Sequence, residues 1–217
     1  MALTLTHLRF SRDILGLLRV EDRGAYYAGV VYPDSRMLTG LPRTRTHGDG
    51  NPVDPFAPGL SDFEKGWAAH EYYDRRSHTW YTRLSPWPEV YEDKERKWWS
   101  YITAVKTIED MQSSEAVSGA EFFRSMPVPK PPRGEDPALL ELFFRLNADF
   151  YARPVNLEAY DRLRADCRMS TETIVGIKEC VNEILGDRAT VERIAAIYPT
   201  ILRETLTPDS GRRSMVK

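Results

Sequence analysis

His70 and Asp74 stand four residues apart inside residues 61–81, a stretch whose pattern predicts one helix. A helix places residues i and i+4 on one face, a turn apart. An imidazole and a carboxylate so placed can hold a metal ion without further backbone work. His78 continues the row one turn on and suits an outer ligand or a general base. The chain has four histidines; His7 and His47 lie upstream and none follows His78. A His-x-x-x-Asp pair alone is often only a hydrogen-bonded pair, so the chemistry has to come from the rest of the chain.

Asp34, His7 and His47 supply it. With His70 and Asp74 they make a set of three imidazoles and two carboxylates, a mix that suits zinc or another first-row metal. Asp34 follows Pro33 at the end of residues 24–32, an apolar stretch. Its small residues Ala25, Ala28 and Gly29 favour a closely packed helix, and the proline ends it. A carboxylate just past such an end can point into a pocket. His47 lies on residues 35–60, rich in glycine and proline and expected to be a long irregular loop. The same loop carries Arg36, Arg43 and Arg45. Their planar forks suit a phosphate or carboxylate, though a solvated loop would also carry them. Asp49 and Asp54 read as turn residues.

The elements that must position these groups all read as helical. Residues 4–19 show apolar positions at helical spacing, with His7 near the start. Ser61 and Glu64 form a capping-box signature for the helix of His70. Residues 89–112 predict a long helix with an apolar, aromatic stripe and with Lys94, Glu95, Lys97 and Glu109 mostly off it. Residues 115–125 suggest a short helix. Residues 126–137 read as a proline-rich connector. Asp136 and Pro137 then start a helix in the N-cap and N1 positions. Further helices are expected at 155–167, from Ser170 or Thr171 to a C-cap near Gly186, and at 187–204, where Pro199 breaks or kinks the last. The expectation is an all-α fold of seven to nine helices. It divides into a metal-site core (1–126), a connector (127–137), C-terminal helices packing on the same core (138–206) and a polar tail (207–217).

Composition narrows the function classes. The chain has 217 residues, 29% charged and 41% hydrophobic, with net charge −2, as expected of a globular domain able to bury a sizeable core. No concentrated basic face argues for nucleic acid. Cys167 and Cys180 are too few for a disulfide framework and read as reduced thiols. No apolar run approaches the ~20 residues that span a bilayer. No signal-peptide pattern opens the chain, so the expected location is cytoplasmic.

Taken in order, Thr6-His7, Gly29-Val-Val-Tyr-Pro33-Asp34, Thr46-His47 and Gly66-Trp-Ala-Ala-His70-Glu-Tyr-Tyr-Asp74 resemble the pattern of the bacterial zinc-dependent phospholipase C family, an all-helical metallophosphoesterase fold. The HD-domain phosphohydrolases are a more distant likeness, without the adjacent His-Asp pair. The resemblance covers residues 5–76. It implies that Asp34, His47, His70 and Asp74 hold one zinc ion, and that His7 joins a bridging Asp74 on a second. It further implies hydrolysis of a small phosphoester or phospholipid-like substrate by a metal-activated water. Asp34 and His78 are the candidate catalytic groups there, and Arg36, Arg43 or Arg45 would stabilise phosphoryl charge. The chain departs from the family in lacking an N-terminal Trp ligand and a second His-x-x-x-acid helix. Two other readings stand beside this one. One is a non-catalytic helical protein with a structural or vestigial metal site that binds a partner. The other is a di-iron-type oxygenase, whose centre the same donors suit.

Overall fold

Every regular element among the described residues is helical. The fold comes from a computed structural model that describes residues 4–47, 50–87 and 93–207. Helix α1 (Thr4–Ile14) runs into a 3-10 turn, and α2 (Arg23–Val31) runs into a second, Tyr32–Ser35, that carries Asp34. Two short helices follow, α3 (Arg36–Thr39) and α4 (Arg43–His47). They correct the expectation of an irregular loop over 35–60, because the first part of it is helical. The long helices α5 (Asp62–Leu84) and α6 (Asp93–Ala116) come next, then the short α7 (Gly119–Phe123). The chain continues with α8 (Pro137–Tyr151), α9 (Leu157–Asp166), α10 (Thr171–Gly186), α11 (Arg188–Ala195) and α12 (Ile197–Leu206).

Caps explain several of these boundaries. Ser61 and Glu64 make the full reciprocal capping box at α5. Asp136 accepts from the Ala138 amide, with Pro137 leading α8. Ser170 caps α10. One expectation is corrected at the C-terminal end. Gly186 is the last helical residue of α10 rather than a left-handed cap. The junction is Asp187, which is extended and caps α11 through the Ala189 and Thr190 amides. The helical stretch that follows is broken, as expected, just before Pro199. Helix α11 ends at Ala195, four residues upstream, whose carbonyl the proline cannot bond, and α12 restarts at Ile197 with Pro199 in its first turn.

The core is one cluster that draws on α1, α2, α5, α6, α8, α9, α10, α11 and α12. Its tightest contact is between α2 and α5. A Cβ added at Gly29 would lie 1.9 Å from the Phe63 carbonyl oxygen, and one at Gly66 would lie 1.8 Å from that of Tyr26. Two glycines thus let the two backbones touch. On the other side of α1 and α5 lies α12, and α10 packs along α6. The connector after α7 docks on its own chain: Arg133 donates to Asn51 Oδ1 at 2.6 Å, and its guanidinium lies 5.1 Å from the centre of the Trp67 ring. Among the described residues no helix is long and apolar enough to cross a membrane. Cys167 and Cys180 are free thiols.

Candidate metal centre

The five expected ligands, drawn from α1, α2's 3-10 extension, α4 and α5, come together. The glycine contact decides where His70 sits. With α2 and α5 in backbone contact, Nδ1 of His70 reaches the Val30 carbonyl at 2.9 Å. A carbonyl only accepts, so Nδ1 carries the proton and Nε2 is left with a lone pair. His47, the last residue of α4, is fixed in a similar way. The Trp67 indole donates to Thr46 O at 2.8 Å and ties α4 to α5. The Thr46 hydroxyl faces the Arg43 carbonyl and lies 2.9 Å from Nδ1 of His47. The contact at Nδ1 turns Nε2 of His47 towards His70.

Those two Nε2 atoms face each other at 3.1 Å. Asp34 Oδ1 lies 3.8 Å from His47 Nε2, and Asp74 Oδ2 lies 3.8 Å from His47 Nε2 and 3.9 Å from His70 Nε2. The other oxygen of Asp74 turns away from this group: Oδ1 is 3.5 Å from His7 Nε2. The His7 and His70 rings are stacked, 3.8 Å apart and 16° from parallel. An ion bound to an imidazole lies near the ring plane at about 2.1 Å. Rings lying one above the other cannot both contain the same ion, so His7 and His70 address different positions. Asp34, His47, His70 and Asp74 Oδ2 surround the first. His7 and Asp74 Oδ1 flank the second.

The electrostatics match the donor state a cation needs. Burial pushes the His47 imidazole down to about 3, helped by the neighbouring His70. Burial also lowers His70, with His7 adding to the effect. For Asp74, burial opposes ionisation, but Lys106, His7 and His70 outweigh it and hold the carboxyl well below its usual range. Asp34 is likewise held low against its burial, with His70, His47 and His7 among the groups that lower it. Ionised carboxylates beside neutral imidazoles are the protonation state of a metal site.

Sequence reasoning missed Glu71. Its side chain is 3% exposed, its Oε1 is buried without a hydrogen-bond partner, and that oxygen lies 4.0 Å from His47 Nε2. Burial raises its carboxyl to about 7. A buried carboxylate oxygen with no donor is costly and has to be explained. A signal was available: Glu71 and Asp74 are an i, i+3 pair and therefore neighbours on the helix surface. Lys106, on α6, was missed as well; its ammonium lies 3.3 Å from Asp74 Oδ1.

The remaining expected residues are placed elsewhere. His78 is exposed on α5 and meets the Trp98 ring edge-on, outside the convergent group. Arg36 opens α3, which packs on α8. Arg43 is exposed on α4, and its charge acts on both His47 and Glu71. Arg45 is exposed on the same helix. Asp54 is a turn residue that accepts from the Phe56 amide at 3.0 Å, and Asp49 lies outside the described residues. The donors that do converge fit a first-row cation: imidazole nitrogens turned to one point, ionised carboxylates and an unpartnered buried oxygen. Compared with protein-family models, curated proteins and solved structures, the chain matches none.

Proposed function

We propose that this chain is a metal-dependent hydrolase of a phosphate ester, with a first-row ion, zinc foremost, held by Asp34, His47, His70 and Asp74. One observation carries the reading. Nε2 of His47 and Nε2 of His70 lie 3.1 Å apart, and a carboxylate oxygen of Asp74 lies within 3.9 Å of both, with one of Asp34 3.8 Å from His47. Two imidazole nitrogens and two carboxylates converging so closely are the donor set of a first-row cation. When bound, such an ion supplies Lewis acidity and an acidified water at phosphorus.

The chain's own groups do the rest. Val30 O fixes the His70 tautomer, and Thr46 Oγ1 holds the orientation of the His47 ring. Asp34, with a side chain 12% exposed, is an acceptor for the proton of an attacking water at the edge of the site. Arg43, exposed on α4 four residues before His47, would offer its planar fork to an incoming phosphoryl oxygen. A small phosphoester or phospholipid-like molecule is the substrate class this reading implies.

A structural, non-catalytic ion is the second reading. One observation favours it: His7, His70 and Glu71 are 2% exposed or less. Closed sites are typical of structural zinc.

Elemental analysis of protein purified without added metal tests the proposal, followed by a phosphoester panel with and without chelator. The expected result is at least half an equivalent of a transition metal, lost in His70→Ala, and chelator-sensitive hydrolysis. Metal without any hydrolysis favours the structural reading. Iron in place of zinc favours the oxygenase. Less than half an equivalent of any metal, or the same content in His70→Ala, overturns the proposal.

A further inference from the structure

Asp74 Oδ1 has two neighbours. His7 Nε2 lies 3.5 Å from it, and the Lys106 ammonium lies 3.3 Å from it. The lysine therefore stands where a second metal ion would have to share that oxygen. We propose that the Lys106 ammonium takes the place of a second metal ion, so that the centre holds one cation with a fixed lysine charge beside it. The inference rests on the hydrolase reading above and specifies its metal count.

Three observations support it. The first is donor supply. Among the described residues the donors grouped there are His7, His70 and Asp74, and because the His7 and His70 rings are stacked only His7 and Asp74 Oδ1 face the second position. The first position has Asp34, His47, His70 and Asp74 Oδ2. An ion at the second position would have to complete its shell with water, in the space beside the shared oxygen that the ammonium takes at 3.3 Å. The second is charge. Asp34, Glu71 and Asp74 bring three carboxylates to the centre. One divalent ion and the Lys106 ammonium balance them, whereas a second divalent ion beside the lysine leaves an excess of positive charge in a buried place. Like charges at such a distance in a partly dry site repel strongly. The third is how the lysine is held. Its ammonium lies over the Tyr81 ring, 5.4 Å from the ring centre, and its side chain is 24% exposed. The head is thus anchored at Asp74 yet open on one side, where a point charge can meet an anionic phosphoryl oxygen. In two-metal phosphoesterases that task belongs to the second ion.

The test is a calorimetric titration of zinc into the 217-residue chain stripped with chelator. The wild-type chain is expected to saturate at one equivalent. Lys106→Met keeps the length of the stem, removes the charge and is expected to saturate at two. Lys106→Arg keeps the charge and is expected to stay at one. Should far-UV circular dichroism show Lys106→Met unfolded, Lys106→Gln carries the same expectation. Two equivalents in the wild-type chain, or a neutral variant that still saturates at one, overturn the inference and leave the hydrolase reading intact. No zinc at all in the wild-type chain removes the hydrolase reading itself, and this inference with it.

Discussion

The backbone amide of Thr6 donates to Oδ1 of Asp110 at 2.7 Å, joining the first turn of α1 to α6. The first amides of a helix have no partner within it. Here a carboxylate from a distant helix takes one, right beside His7. The other oxygen of Asp110 accepts from Tyr151 at 2.7 Å and from Tyr160 at 2.6 Å. One buried carboxylate therefore ties α1, α8 and α9 to α6. Asp110→Asn keeps the shape but turns one acceptor into a donor that faces other donors. The unfolding free energy is expected to fall by about 2 kcal/mol or more, read as a lower urea midpoint with an unchanged slope.

Glu109, the residue before, accepts from Tyr73 at 2.7 Å and from Tyr81. Burial lifts its carboxyl from an ordinary 4.5 to about 7, against the pull of the two hydroxyls. The folded chain therefore holds this proton more tightly than the unfolded chain does. The stability from this group is complete below about 4.5, falls as pH rises towards about 7 and levels off above it. Glu109→Gln carries no such slope. Relative to wild type, the variant is expected to gain stability between pH 5 and pH 8, by up to about 3 kcal/mol. Paired urea denaturations at the two pH values check it; a constant difference would refute it.

Neither acid could be placed from the sequence, and the reason is physical. The long-helix pattern over 89–112 assigned Glu109 to the face away from the apolar stripe, yet it is 1% exposed. Periodicity treats a charge as a solvent marker and cannot see a tyrosine hydroxyl arriving from α5. His70 and Asp74 were legible because their relation is local, one turn of one helix. So were the Ser61–Glu64 box and the Asp136–Pro137 start. Lys106 was not, because it meets Asp74 across 32 residues and two helices. The short α3 and α4 were hidden by glycine and proline, which mark turns but do not exclude a single helical turn between them. Local rules found the candidate donors that share a helix or end one. Tertiary contact set the ring orientations, the extra carboxylate and the lysine.

Gly66 and Gly29 convert packing into chemistry. A methyl at Gly66 would sit 1.8 Å from the Tyr26 carbonyl oxygen, which forces α2 and α5 apart. Separation also carries Val30 O away from the His70 Nδ1 that it orients at 2.9 Å. Gly66→Ala is expected to cost about 3 kcal/mol of stability. It is also expected to weaken zinc binding by roughly 10- to 100-fold, the usual effect of losing an orienting partner. Gly16, with nothing within 4 Å of an added methyl, is the control. Gly16→Ala is expected to leave zinc binding unchanged. Equal zinc affinity in Gly66→Ala and wild type would show that the carbonyl does not orient the ring.

Glu71 separates the demands of stability from those of function. Its Oε1 is buried, has no hydrogen-bond partner and faces His47 Nε2 at 4.0 Å. On the other side, Arg75 Nε lies 3.8 Å from Oε2, on a side chain 53% exposed. An exposed arginine screens a buried carboxylate only weakly. In the metal-free chain above about pH 7, where this carboxyl is ionised, Glu71 is thus a buried charge without adequate compensation, and such groups destabilise. Glu71→Gln keeps the shape and removes the charge, so the chelator-stripped variant is expected to unfold at a higher urea concentration than the stripped wild type. Zinc, by contrast, needs the carboxylate beside His47, and its affinity is expected to fall by about tenfold or more in the same variant. The two effects have opposite signs, which a merely structural residue would not produce. Urea denaturation of the stripped proteins and calorimetric zinc titration read them separately. A variant that loses stability without zinc, or binds zinc as tightly as wild type, would show that Glu71 serves the fold and not the ion.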